Sequence, residues 1–172
     1  MTGRLEGKVA IVTGAGSILQ GWGNGKAAAV LFAREGARVA LVDHREEALQ
    51  ETEAIIRREG GTCTSIVCDV SASDQIRAMV EHTRDVFGGR IDVLHNNVGI
   101  AVIGDAVTLA EEEWDRVQAV NVKSMFLTCK YVLPTMVQQG AGAIVNVSSI
   151  AGIRSLPGGN YLSYYTTKGA VL

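Results

Sequence analysis

Tyr164 and Lys168 stand four residues apart in Tyr164-Tyr165-Thr166-Thr167-Lys168. On a helix that spacing puts both side chains on one face, with the ammonium near the phenol. A free tyrosine has a pKa of about 10 and is a poor base near neutrality, but a neighbouring cation favours the phenolate and lowers that value. The pair predicts a general acid/base. Tyr161 and Tyr165 have no lysine four residues later, since positions 165 and 169 hold Tyr and Gly. A second stretch could hold phosphate: Thr13-Gly14-Ala15-Gly16-Ser17, followed by Gly23-Asn24-Gly25-Lys26-Ala27. Glycine permits a positive φ in a tight turn and lets the backbone approach a pyrophosphate, which the N–H groups of a helix N-terminus then hold. Asp43 lies eighteen residues after Gly25, close to the spacing at which an acidic residue takes the hydroxyls of an adenosine ribose.

These residues need a scaffold, and the patterning predicts one. Short β-branched runs, Lys8–Thr13, Arg38–Asp43, Thr64–Cys68, Ile91–His95 and Ala143–Val147, read as strands, mostly apolar on both faces as a buried parallel sheet requires. Between them Asn24–Glu35, Arg45–Arg58, Ala72–Phe87 and Glu111–Gln138 show helical apolar spacing, with Gly36, Gly60, Gly88 and Gly140 where such helices stop. Pro134, inside the fourth run, predicts a kink or an early stop. A last helix starts near Tyr161. The alternation is that of βαβ units, so the fold class is α/β, a Rossmann-type doubly wound parallel sheet in a single domain over residues 1–172. Ligands of such sheets bind beyond the carboxyl ends of the strands.

Thr13-Gly14 with Gly23-x-Gly25 resembles the Thr-Gly-x-x-x-Gly-x-Gly motif of the short-chain dehydrogenase/reductase family, with eight residues between Gly14 and Gly23 where the family has three. The five extra residues fall within Gly16–Trp22 and are expected to loop to the surface, leaving cofactor binding intact. Asn24 replaces the usual aliphatic residue, with backbone contact to the pyrophosphate expected. Asp69-Val70 resembles the family's adenine-contacting position, and Asn96-Asn97-Val98-Gly99 its Asn-Asn-Ala-Gly. Asn121, Ser149, Tyr164 and Lys168 match the catalytic Asn-Ser-Tyr-Lys set in order. Ser148 is a neighbouring alternative to Ser149, but the twenty-eight residues from Asn121 to Ser149 agree with the family pattern. Ser149 to Tyr164 is two residues longer than usual, an excess placed at Pro157-Gly158-Gly159.

The resemblance implies an NAD(H)-dependent oxidoreductase acting on a secondary alcohol or ketone. In such an enzyme Tyr164 transfers the proton, Lys168 also bonds the nicotinamide ribose, Ser149 orients the substrate oxygen, and Asn121 supports a proton relay linking Lys168 to solvent. The cofactor-binding set would be Gly14, Gly23, Asn24, Gly25, Asp43, Asp69, Val70, Asn97, Gly99, Tyr164 and Lys168. Family members continue through two more strands, which carry most of the substrate pocket, so the resemblance implies a chain cut after the fifth strand and the start of the next helix. It also implies a homodimer or homotetramer at full length. A catalytically inactive NAD-binding fragment and a redox-sensing Rossmann protein are the alternatives; a pure sensor has no need of an activated tyrosine.

Bulk properties narrow the partners. Hydrophobic residues make up 47% of the chain and charged ones 20%, a globular composition. The net charge of −2, without a basic cluster, argues against a nucleic-acid or membrane-surface partner. The first eight residues lack the apolar core of a secretory signal and no apolar run reaches membrane-spanning length, so a soluble cytoplasmic protein is expected. Cys63, Cys68 and Cys129 have no Cys-x-x-Cys spacing and read as buried free thiols, and His44, His82 and His95 show no ligand spacing, so no metal is expected.

Overall fold

The computed structural model describes residues 3–17, 21–155 and 158–172. Five parallel strands, β1 (Val9–Thr13), β2 (Arg38–Asp43), β3 (Thr62–Val67), β4 (Val93–Asn96) and β5 (Ala143–Asn146), lie in the order β3-β2-β1-β4-β5. Side chains alternate across a strand, and the core divides accordingly. Val9, Ile11, Ala40 and Val42 face one layer with Ile76, Met79, Leu127 and Val132. Ala10, Val12, Val39 and Leu41 face the other with Ala29, Val30, Leu49 and Ile56. Burial on both faces is why β1 and β2 are apolar throughout.

The helices are α1 (Asn24–Arg34), α2 (Glu46–Arg58), α3 (Ser73–Phe87), α4 (Glu111–Gln118), α5 (Ser124–Gln138) and α6 (Leu162–Ala170). Gly36, Gly60, Gly88 and Gly140 all have positive φ, as expected of the turns that end helices. Three expectations are corrected. The run Glu111–Gln138 contains a π-helical turn at Ala119–Lys123, between α4 and α5. α5 continues through Pro134 to Gln138, so the proline neither stops it nor shortens it. β4 begins at Val93 rather than Ile91, although the Asp92 backbone already bonds to both neighbours, its N–H donating to the Val9 carbonyl (2.8 Å) and its carbonyl accepting from the Ala143 N–H (2.9 Å).

β1 and β4 are neighbours, yet β1 leads through α1 to β2 on one side and β4 leads toward β5 on the other. Their outgoing loops therefore part, and a crevice opens at the carboxyl ends of the strands.

Candidate active site and dinucleotide cleft

A cleft of about 730 Å³ fills that crevice, lined by the loops after β1, β2, β3 and β4. Gly14 turns out of β1 at φ +66°, and a Cβ on Gly25 would lie 1.8 Å from the Gly14 carbonyl oxygen and 2.6 Å from Asn97 Nδ2. Only glycine lets α1 start this close to the β1 turn. Gly23 caps α1 without a side-chain bond, and no acidic residue occupies its first turn. The helix thus presents open N–H groups and an uncompensated positive end to the cleft. Asn97 binds the two sides together: its Nδ2 donates to the Thr13 and Gly14 carbonyls, both at 3.3 Å.

Asp43 is buried at the end of β2. Its Oδ2 accepts from the Gly16 N–H at 3.1 Å and its Oδ1 from the Arg45 N–H at 3.1 Å, which fixes the carboxylate at the cleft wall. The Arg45 guanidinium is already engaged, donating to the Ser17 carbonyl at 2.7 Å. Asp69 lies further along the wall, where its Oδ1 holds Ser71 through both N–H and hydroxyl.

The proton-transfer candidates gather beyond β4 and β5. Lys168 is 3% exposed, donates to the Val147 carbonyl at 2.7 Å, and holds its Nζ 5.7 Å from the Tyr164 ring centroid. Among the described residues no carboxylate pairs with it. Burial accordingly pushes the ammonium below the ordinary lysine value. An Nζ with three donors and one carbonyl partner has donors left for a ligand. A Cβ on Gly99 would come within 3.2 Å of that Nζ, so glycine there clears the space around the ammonium.

Ser148 and Ser149 separate by role. The Ser148 hydroxyl donates to the Lys168 carbonyl at 2.7 Å and so secures α6. Ser149 Oγ accepts from the Ala151 N–H at 3.1 Å, capping the short turn Ile150–Gly152 and keeping its own proton to donate. Asn121 ties two elements together. It sits fully buried in the π-helical turn, its Nδ2 donating to the Ile100 carbonyl and Thr167 Oγ1 (both 2.9 Å) while Oδ1 accepts from the Ile100 N–H (2.8 Å). Both amide protons are spent on protein, so the side chain ties the β4 loop to α6 and has only an Oδ1 lone pair left for water.

Comparison with known proteins gives the family. The model of the short chain dehydrogenase family matches residues 8–172. The chain belongs to that family. A short-chain dehydrogenase is also what it resembles structurally: a Burkholderia xenovorans chain described as a short-chain dehydrogenase/reductase aligns with TM-score 0.94 at 46% identity, covering 98% of this chain and 66% of that one. NAD+-bound xylitol dehydrogenase aligns with TM-score 0.88 at 36% identity, over 98% and 62%. The 2-(R)-hydroxypropyl-CoM dehydrogenase of Xanthobacter autotrophicus is 42% identical over 96% of this chain and 64% of its own length. The chain spans 63–65% of the length of the first curated short-chain dehydrogenase relatives it matches.

Within this dehydrogenase fold, Gly14, Gly23, Asn24, Gly25, Asp43, Asp69, Val70, Asn97 and Gly99 all line the cleft, whereas Asn121, Ser149, Tyr164 and Lys168 stand outside its lining. Ser17, Trp22, Arg116 and Val120 also line it and were not anticipated as contacts. Arg116 and Val120 come from α4 and the π-helical turn, which reach the cleft only through tertiary packing. Trp22, in the lengthened loop, is exposed as expected and also borders the cleft. Residues 18–20 of that loop, and Leu156 and Pro157 of the second lengthened loop, lie outside the described residues; Gly158 follows at φ +74°.

Proposed function

We propose that the intact protein is an NAD(H)-dependent oxidoreductase that interconverts a secondary alcohol and a ketone. The observation that carries this reading is the buried Lys168, beside Tyr164 and paired with no carboxylate among the described residues, next to Gly99 of a cleft whose glycines leave room for a diphosphate. Gly14, Gly23 and Gly25, with the open N–H groups of α1, would hold the pyrophosphate. Asp43 would take the adenosine ribose hydroxyls, and Lys168 the nicotinamide ribose. When bound, the nicotinamide supplies the hydride donor or acceptor. The protein's own part is proton transfer and orientation: the Ser149 hydroxyl donates to the substrate oxygen, the Tyr164 phenol gives or takes its proton, and the Lys168 cation favours the phenolate charge. No helix among the described residues is long and apolar enough to cross a membrane. Phe126, Leu133 and Val137 form an exposed apolar stripe on α5, which supports self-association of the intact protein.

NAD(H) is the proposed cofactor over NADP(H). A 2′-phosphate would meet the Asp43 carboxylate, which the Gly16 and Arg45 N–H groups fix at the cleft wall. Catalytic efficiency with the two cofactors, measured on the intact protein with a panel of secondary alcohols, is expected to favour NAD+ by at least about tenfold, the effect of some 1.4 kcal/mol. Equal or better use of NADP+ would overturn the assignment, and no reduction of either cofactor would overturn the reaction class.

A further inference from the structure

We propose that Trp22 is a cofactor-contacting residue, its indole covering the diphosphate of the bound dinucleotide, and that Lys26 and Glu51 hold it there. This deepens the dinucleotide reading and rests on it. Trp22 immediately precedes the helix cap Gly23, and it lines the cleft while 60% exposed, a large aromatic surface standing where the N–H groups of α1 open. Beneath it lies an arrangement built to hold it. Lys26, in the first turns of α1, is 1% exposed, an unusual fate for a lysine. Its Nζ stands 5.3 Å from the centre of the Trp22 ring, donates to the Gly21 carbonyl at 3.1 Å, and pairs with the Glu51 carboxylate of α2. Gly21 has φ +112°, a conformation that L side chains rarely adopt, so the turn leading into Trp22 is specified by sequence as well as by contacts.

The charge of Lys26 is answered by Glu51 and its ammonium faces an indole and a carbonyl. It is therefore a positioning residue and not a phosphate ligand. Ser17, at the other side of the opening, is held through its carbonyl by Arg45. With a dinucleotide in place, the Trp22 ring would shed water from the exposed side of the diphosphate, and its indole N–H is a donor suited to a phosphate oxygen. Excluding water strengthens the backbone N–H bonds to the phosphates that Gly23 to Gly25 offer.

The test is calorimetric titration of the intact protein with NAD+ and with ADP-ribose, which keeps the diphosphate and lacks nicotinamide. Trp22→Ala is expected to weaken both by about five- to twentyfold, the range for losing a buried aromatic contact, and Trp22→Phe by less. In a Trp114→Phe background, where Trp22 is the remaining tryptophan, NAD+ should change its emission, and Lys26→Met should shift the unliganded emission to the red and weaken NAD+ in the same direction. Wild-type binding with an unchanged Trp22→Ala constant would overturn the contact while leaving the cofactor reading intact. Loss confined to NAD+ and absent with ADP-ribose would overturn its placement at the diphosphate. Unchanged emission and affinity in Lys26→Met would overturn the role of the lysine. Failure of the wild type to bind either compound would overturn the dinucleotide reading itself, and this inference with it.

Discussion

Tyr164→Phe should reduce turnover by about 10²–10⁴-fold, the usual contribution of a positioned general acid/base, while leaving NAD+ affinity within about twofold of wild type. The substitution removes one hydroxyl and keeps the ring that lies beside Lys168. Tyr164 is half-buried, and its hydroxyl makes no hydrogen bond to another described residue whose loss would loosen α6. A selective fall in kcat, with cofactor titration unchanged, separates loss of the proton donor from loss of structure. Retention of more than a few per cent of the rate would place the acid/base elsewhere.

Lys168→Ala should damage chemistry and binding together. The Nζ is a cation beside Tyr164, and its free donors are those assigned to the nicotinamide ribose. Hydrogen bonds involving a charged group contribute roughly 1.5–3 kcal/mol, so NAD+ affinity should drop by about tenfold or more in addition to the loss in kcat. Lys168→Met is the companion variant, because it fills the volume of a stem that is almost entirely buried. Both should be inactive and fold; activity in either would contradict the assignment. The pH profile adds a second readout. Burial holds the Lys168 ammonium below the ordinary lysine value, so its proton leaves earlier as the pH rises and kcat should fall on the alkaline side before that value is reached. Unfolding through this group does not explain such a fall. In the window between the native and unfolded pKa values the unfolded chain binds more protons at Lys168, so rising pH adds stability there.

The parts of the site that were legible in the sequence are those set by local chemistry. Gly14, Gly25 and Asp43 follow strands buried on both faces, and a strand of that kind is unmistakable in β1 and β2. The Tyr164 and Lys168 pair depends only on helical spacing. What escaped depends on contacts distant in sequence. A lysine in the first turns of a helix reads as solvated, and Lys26 is buried where Trp22 lies over it and Glu51, from the next helix, meets it. Asn121 matched a position, but its saturation by Ile100 and Thr167 follows from α6 folding back on the π-helical turn. The turn itself is invisible to periodicity, since one widened turn barely disturbs an apolar pattern spread over Glu111–Gln138. The early stop that Pro134 suggested does not occur, for a related reason: the cost of a proline in a helix interior is local, and Val132, Thr135 and Met136 beside it are buried against the rest of the fold.

The central claim is that Tyr164 and Lys168 serve a hydride transfer between a carbinol carbon and a nicotinamide held in this cleft. It is tested most directly by incubating the intact protein with NAD+ and secondary alcohols deuterated at the carbinol carbon, then weighing the reduced cofactor by mass spectrometry. The account predicts NADH carrying one deuterium from the alcohol, with none acquired from D2O when the alcohol is unlabelled, and no labelled NADH from Tyr164→Phe above a few per cent of the wild-type rate. NADH formed without the alcohol's deuterium, or formed equally well by Tyr164→Phe, would contradict it.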